Sequence, residues 1–70
     1  MVAEVFFQDG VVAMALWHGL PLLEDLMHQA LNLEASFDGH RRVLGARIVR
    51  GDNVIVTWTR TLVAMPCYSE

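Results

Sequence analysis

Two largely apolar runs, Val2–Phe7 and Val11–Trp17, flank the pair Asp9-Gly10. Asp-Gly suits a two-residue type I′ turn, because both central positions of that turn need positive φ. Residues 2–17 are therefore expected to fold back as a β-hairpin. The two-residue turn pairs Gln8 with Val11, Phe7 with Val12, Phe6 with Ala13 and Val5 with Met14. One face then carries Ala3, Val5, Phe7, Val12, Met14 and Leu16, all apolar, and reads as the core face. The other carries Val2, Glu4, Phe6, Gln8, Val11, Ala13, Ala15 and Trp17, and it too is mostly apolar. An antiparallel sheet with one wet face should alternate cleanly to polar residues. This hairpin does not, so both of its faces need cover.

Residues 20–33 read as a helix. Pro21 suits the first helical position, where a missing N–H costs nothing, and Glu24 and Asp25 complement the positive end of the helix dipole. Leu22, Leu23, Leu26, Met27, Ala30 and Leu31 form an apolar stripe at i, i+3, i+4 spacing. Beyond it, Asp38-Gly39 reads as a second I′ turn that pairs Phe37 with His40, preceded by a short strand or by irregular chain. Arg41–Arg50 and Asn53–Leu62 read as strands rich in Val, Ile, Thr and Trp. Val54, Val56, Trp58 and Leu62 are expected to be buried, with Thr57, Thr59 and Thr61 on the wetter side. The link at Arg50-Gly51-Asp52-Asn53 fits a II′ turn at Gly51-Asp52 or a I′ turn at Asp52-Asn53. Pro66 ends the last strand, and residues 65–70 read as a tail. The fold expected is a single α+β domain over residues 1–70, in the order ββαβββ or ββαββ. No stretch of the chain resembles a known family.

Composition narrows the class. At 70 residues and 54 % apolar, the chain is too hydrophobic for a disordered tail and short for burying everything within one subunit. A single cysteine, Cys67, forbids an internal disulfide. The N-terminus has no basic stretch before an apolar one, and the run Val11–Trp17 is far short of a bilayer span. A cytoplasmic protein without membrane contact is the expectation. Residues 1–38 hold six acids and no Lys or Arg, a net −6, while residues 39–70 hold five arginines and two acids, a net +3.

The residues give catalysis little to work with. His18, His28 and His40 lie ten and twelve positions apart, whereas zinc ligands usually come as close pairs. Ser36 and Ser69 sit in no strand-turn-helix elbow, Cys67 has no base near it in sequence, and the adjacent Glu24 and Asp25 point in different directions on a helix. Gly-rich phosphate loops are absent from the sequence, so no enzyme, metal or cofactor is expected. Arg50-Gly51-Asp52 matches an adhesion tripeptide but reads more simply as a turn.

The reading that remains is a non-catalytic protein-binding module: an inhibitor, an adaptor or an accessory factor of a mobile element. Self-association as a homodimer through the outer hairpin face is the first expectation, using Val2, Phe6, Val11, Ala13 and Trp17 with Arg47 and Arg60 at the rim. A nucleic-acid-binding regulator is the alternative. Arg41, Arg42, Arg47, Arg50 and Arg60 would contact phosphates, although a pI near 5.4 opposes that reading. A small-ligand site between helix and sheet at Trp17 and His18 is a further alternative.

Overall fold

A computed structural model describes residues 1–60. The element order is β1 (Val2–Phe7), β2 (Val12–Leu16), α1 (Leu23–Ala35), β3 (Val43–Arg50) and β4 (Asn53–Thr59). The strands make one antiparallel sheet in the order β2-β1-β3-β4, and the helix packs over β3 and β4. This is the α+β class expected, in the ββαββ order.

The first hairpin forms, but its register is one residue away from the expected one. Val2 pairs with Leu16, Ala3 with Ala15, Glu4 with Met14, Val5 with Ala13 and Phe6 with Val12. The cause lies in the loop. The Gly10 N–H donates to the Phe7 carbonyl, the Phe7 N–H donates to the Val11 carbonyl, and Gly10 has φ +88°. Those bonds close a three-residue loop whose last residue is left-handed, the longer alternative to a two-residue I′ turn. A slip of one residue exchanges the faces of a strand. Val12, Met14 and Leu16 therefore leave the expected core face and stand exposed on the other side. Ala13 and Trp17 turn inward, and Trp17 is only 6 % exposed.

The core is Ala3, Val5 and Phe7 from β1, Val43, Ala46 and Ile48 from β3, Leu26 and Ala30 from α1, and Trp17. Ala13, Leu33, Phe37, Val56 and Trp58 are partly buried against it. Two bulges tune the sheet. Leu44 is the extra residue between Phe6↔Gly45 and Phe7↔Val43, which turns Val43 to the core instead of the face of Gly45. Ile55 is the extra residue between Ile48↔Val56 and Val49↔Val54. It resets the alternation, so Val54 stands exposed rather than buried.

The helix starts later than expected. The Leu22 N–H bonds to the Leu20 carbonyl in a tight turn around Pro21, and Leu22 stays extended. Its carbonyl is the first to accept a helical bond, from Leu26. At the other end the helix runs to Ala35, absorbing the start of the doubtful strand at residues 33–37. The Asp38-Gly39 turn does form, with φ +53° and +81° and a bond from the His40 N–H to the Phe37 carbonyl, but it ends a helix rather than linking strands. Gly51, at φ +57°, occupies the first central position of a two-residue loop between Arg50 and Asn53, as a II′ turn requires. Leu62 and residues 65–70 lie outside the described residues.

Gly45 is fixed by close approach. A Cβ there would lie 2.8 Å from the Trp58 carbonyl oxygen, in backbone that cannot move aside cheaply. Gly45→Ala should lower unfolding stability by about 1–3 kcal/mol, read by urea denaturation; a variant as stable as the parent would contradict this packing.

Candidate interaction surface

Because α1 lies on one side, the opposite face of the sheet has no covering layer among the described residues. The register puts Val2, Glu4 and Phe6 of β1 on that face with Val12, Met14 and Leu16 of β2. Gly45, Arg47 and Val49 of β3 and Thr57 and Thr59 of β4 continue it. The most open apolar residues of that face are Leu16 at 72 % and Met14 at 66 % exposure, followed by Val54 of β4, opposite Val49, at 51 % and Val12 at 45 %. Phe6 lies across from Gly45, and a hollow of about 270 Å³ opens there between Phe6, Arg47, Thr57 and Thr59. The link between β2 and α1 exposes Leu20, Leu22 and Leu23 as well.

Of the residues expected at an outer-face interface, Val2, Phe6 and Arg47 are there. Val11 is exposed at the hairpin end, while Ala13 and Trp17 belong to the helix side for the register reason already given. Arg60 is not at the rim of the outer face. It lies at the C-terminal end of the helix, where its Nη2 donates to Glu34 Oε1 at 2.7 Å. Sequence reading missed Val12, Met14 and Leu16, since both possible faces of β2 are apolar.

Three of the arginines, Arg41, Arg42 and Arg60, line one hollow of about 450 Å³ together with Glu34 and Gln8, while Arg47 and Arg50 lie elsewhere. Arg47 donates to Glu4 on the outer face and lies 5.4 Å from the Phe6 ring centre. Arg41 approaches Asp9 at 3.6 Å and stands 5.3 Å from the ring centre of Phe37 and 5.8 Å from that of Phe7. Arg50 is at the far end of β3 and Arg42 at its start, both exposed. Among the described residues, three of the five arginines are thus engaged by acids.

A cleft of about 270 Å³ lies between α1 and the first hairpin, lined by Ala13, Ala15, Trp17, Leu26, Gln29 and Leu33 among others. Trp17 contributes to it, and its indole N–H donates to the Leu20 carbonyl at 3.1 Å. His18 is exposed and is not among the residues that line it. His28 and His40 are exposed too, and among the described residues no three His, Cys, Asp or Glu side chains converge on a point. No helix among these residues is long and apolar enough to cross a membrane.

Glu34, near the end of α1, is held through both of its carboxylate oxygens. Its Oε1 accepts from Arg60 and its Oε2 accepts from the Val43 N–H at 2.8 Å. One carboxylate thereby ties the helix to the start of β3 and to the chain just after β4. The Arg60 hydrogen bond, then that from Val43, hold its pKa below the ordinary 4.5; partial burial opposes them, and the charges of Arg60 and Arg42 assist. Partners 26 and 9 residues distant leave no local sign in sequence.

No protein-family model, curated protein or solved structure matches this chain.

The Glu34 clamp has a pH signature. A carboxyl whose folded-state pKa is depressed stabilises the fold above its unfolded value. That contribution fades as pH falls from about 4.5 toward the lower folded value. Glu34→Gln should therefore destabilise the protein near neutrality, and the deficit should shrink as pH drops below 4.5. Urea midpoints at several pH values check this; an equal deficit at all of them would contradict it.

Proposed function

We propose that this chain is a non-catalytic protein-binding module that self-associates through the outer face of its first hairpin. The observation that carries the reading is the row Val12, Met14 and Leu16. Three large apolar side chains stand on one strand, at 45–72 % exposure, beside Val2 and Phe6. Scattered exposed apolar residues are ordinary, but a contiguous row of this kind marks an interaction site in a small protein. Arg47, paired with Glu4 and lying beside Phe6, gives the patch a polar border, as interfaces commonly have.

Several other polar groups support a structural rather than chemical reading. Glu34 clamps the helix, and the Asp9 carboxylate accepts from the Val11 N–H at the hairpin loop. Ser36 donates to the Leu33 carbonyl at the helix end. The nucleic-acid alternative is less favoured, because of the three arginines that share a hollow, Arg41 and Arg60 are engaged by Asp9 and Glu34, and Arg47 elsewhere is engaged by Glu4. A phosphate-binding surface works through clustered free cations.

Leu16→Asp places a charge in the row without touching the core. Its folding stability should stay within about 0.5 kcal/mol of the parent, while self-association weakens at least roughly tenfold. Sedimentation equilibrium of both proteins over a range of concentrations reads the difference. Unchanged association would contradict the outer hairpin face as the interface.

A further inference from the structure

We infer that the partner is a second copy of this chain, joined edge to edge through β2 by a two-fold axis at Met14. The inference rests on the self-association proposed above and specifies its geometry. In an antiparallel ladder, residues alternate between pairs that exchange hydrogen bonds and pairs that do not. The Phe7 N–H bonds to the Val11 carbonyl, and the Trp17 N–H bonds to the Met1 carbonyl. With the observed register, Val11, Ala13, Ala15 and Trp17 thus direct their backbone groups toward β1. Val12, Met14 and Leu16 direct theirs outward. The three residues with the exposed side chains also carry the free backbone donors and acceptors.

β2 is a terminal strand of the sheet, and among the described residues nothing pairs with its outer edge. Natural edge strands are usually guarded by charge, proline or a bulge. This one has none of them: Val11–Trp17 contains no charged residue and no proline, and the β1–β2 ladder has no bulge. The opposite edge, β4, carries the Ile55 bulge, with Arg60 just beyond it.

A second copy fits this edge better than an arbitrary strand for two reasons. The outward set is symmetric about its own centre. A two-fold axis sets Met14 opposite Met14 of the second copy and Val12 opposite its Leu16. All three outward residues then find partners in a single register, giving roughly six interchain hydrogen bonds. Charge also permits the approach. The protein is net −3, but the seam itself is uncharged, and the acid nearest it on the outer face, Glu4, is paired with Arg47. On the helix side the seam carries Ala13 and Ala15, small enough for two copies to close. The product is a continuous eight-stranded sheet whose outer face joins both apolar rows.

Backbone amide exchange of the full chain, followed by NMR at low and high protein concentration, tests the geometry. Amides of Val12, Met14 and Leu16 should exchange freely in the dilute monomer and slow as the dimer fills. Those of Ala13 and Ala15 should be protected throughout. Met14→Pro removes one outward N–H and should weaken association at least roughly tenfold. Met14→Lys, which keeps the backbone and sets like charges opposite one another, should do the same. Association with the three amides still exchanging freely would overturn edge pairing and leave face-to-face self-association standing. Protection of the three amides in a sample that sediments as a monomer would overturn it too, because the edge would then be covered within one chain. A monomer at millimolar concentration would end both this inference and the reading it rests on.

Discussion

The register of the first hairpin decides what the rest of the molecule can do. Five strand residues, Val12–Leu16, are all apolar, so nothing in their side chains chooses a face. The choice falls to the loop. Gly10 takes a left-handed conformation after a turn at Gln8-Asp9, the chain gains one residue, and the alternation of β2 is set. Trp17 is thereby carried under the helix, where it joins Leu26 and Ala30 in the core. Val12, Met14 and Leu16 are carried away from it. One glycine thus sends a tryptophan to the core and an apolar row to the surface.

The one helix among the described residues lies on the other side of the sheet from that row. A sheet of four strands has two faces, and one helix of 13 residues covers part of one. It lies over β3 and β4, leaving a cleft above β1 and β2 that Ala13 and Ala15 keep shallow in side-chain bulk. On the opposite face Arg47 donates to Glu4 beside the Phe6 ring, next to Thr57 and Thr59 of β4. Small domains bury a smaller share of their surface than large ones. Association is the usual route to burying the remainder.

Much of the fold is legible in the residues. Gly at each tight turn, Pro21 before the helix and the β-branched runs of β3 and β4 mark the elements with little ambiguity. What escapes is pairing. Asp9-Gly10 is compatible with a loop of two or of three residues, and the two differ by a whole face. The bulges at Leu44 and Ile55 are features of the register between strands, which local sequence does not record. The Asp38-Gly39 turn is read correctly, but the residues before it continue a helix. Tertiary ties from Phe37 to Phe7, at 5.6 Å between ring centres, and from Glu34 to Val43 hold that end in place. Of the surface, Val2, Phe6 and Arg47 are legible as outer-face residues. The edge itself is not, because it exists only once the register does.

The most direct test is therefore of the register. In an antiparallel pair the α-protons of non-hydrogen-bonded partners approach closely enough for strong nuclear Overhauser effects. A spectrum of the protein should show α-proton contacts between Phe6 and Val12, Glu4 and Met14, and Val2 and Leu16. Contacts between Phe7 and Val12, Val5 and Met14, and Ala3 and Leu16 would instead establish the two-residue turn. They would return Met14 and Leu16 to the helix side and remove the apolar edge.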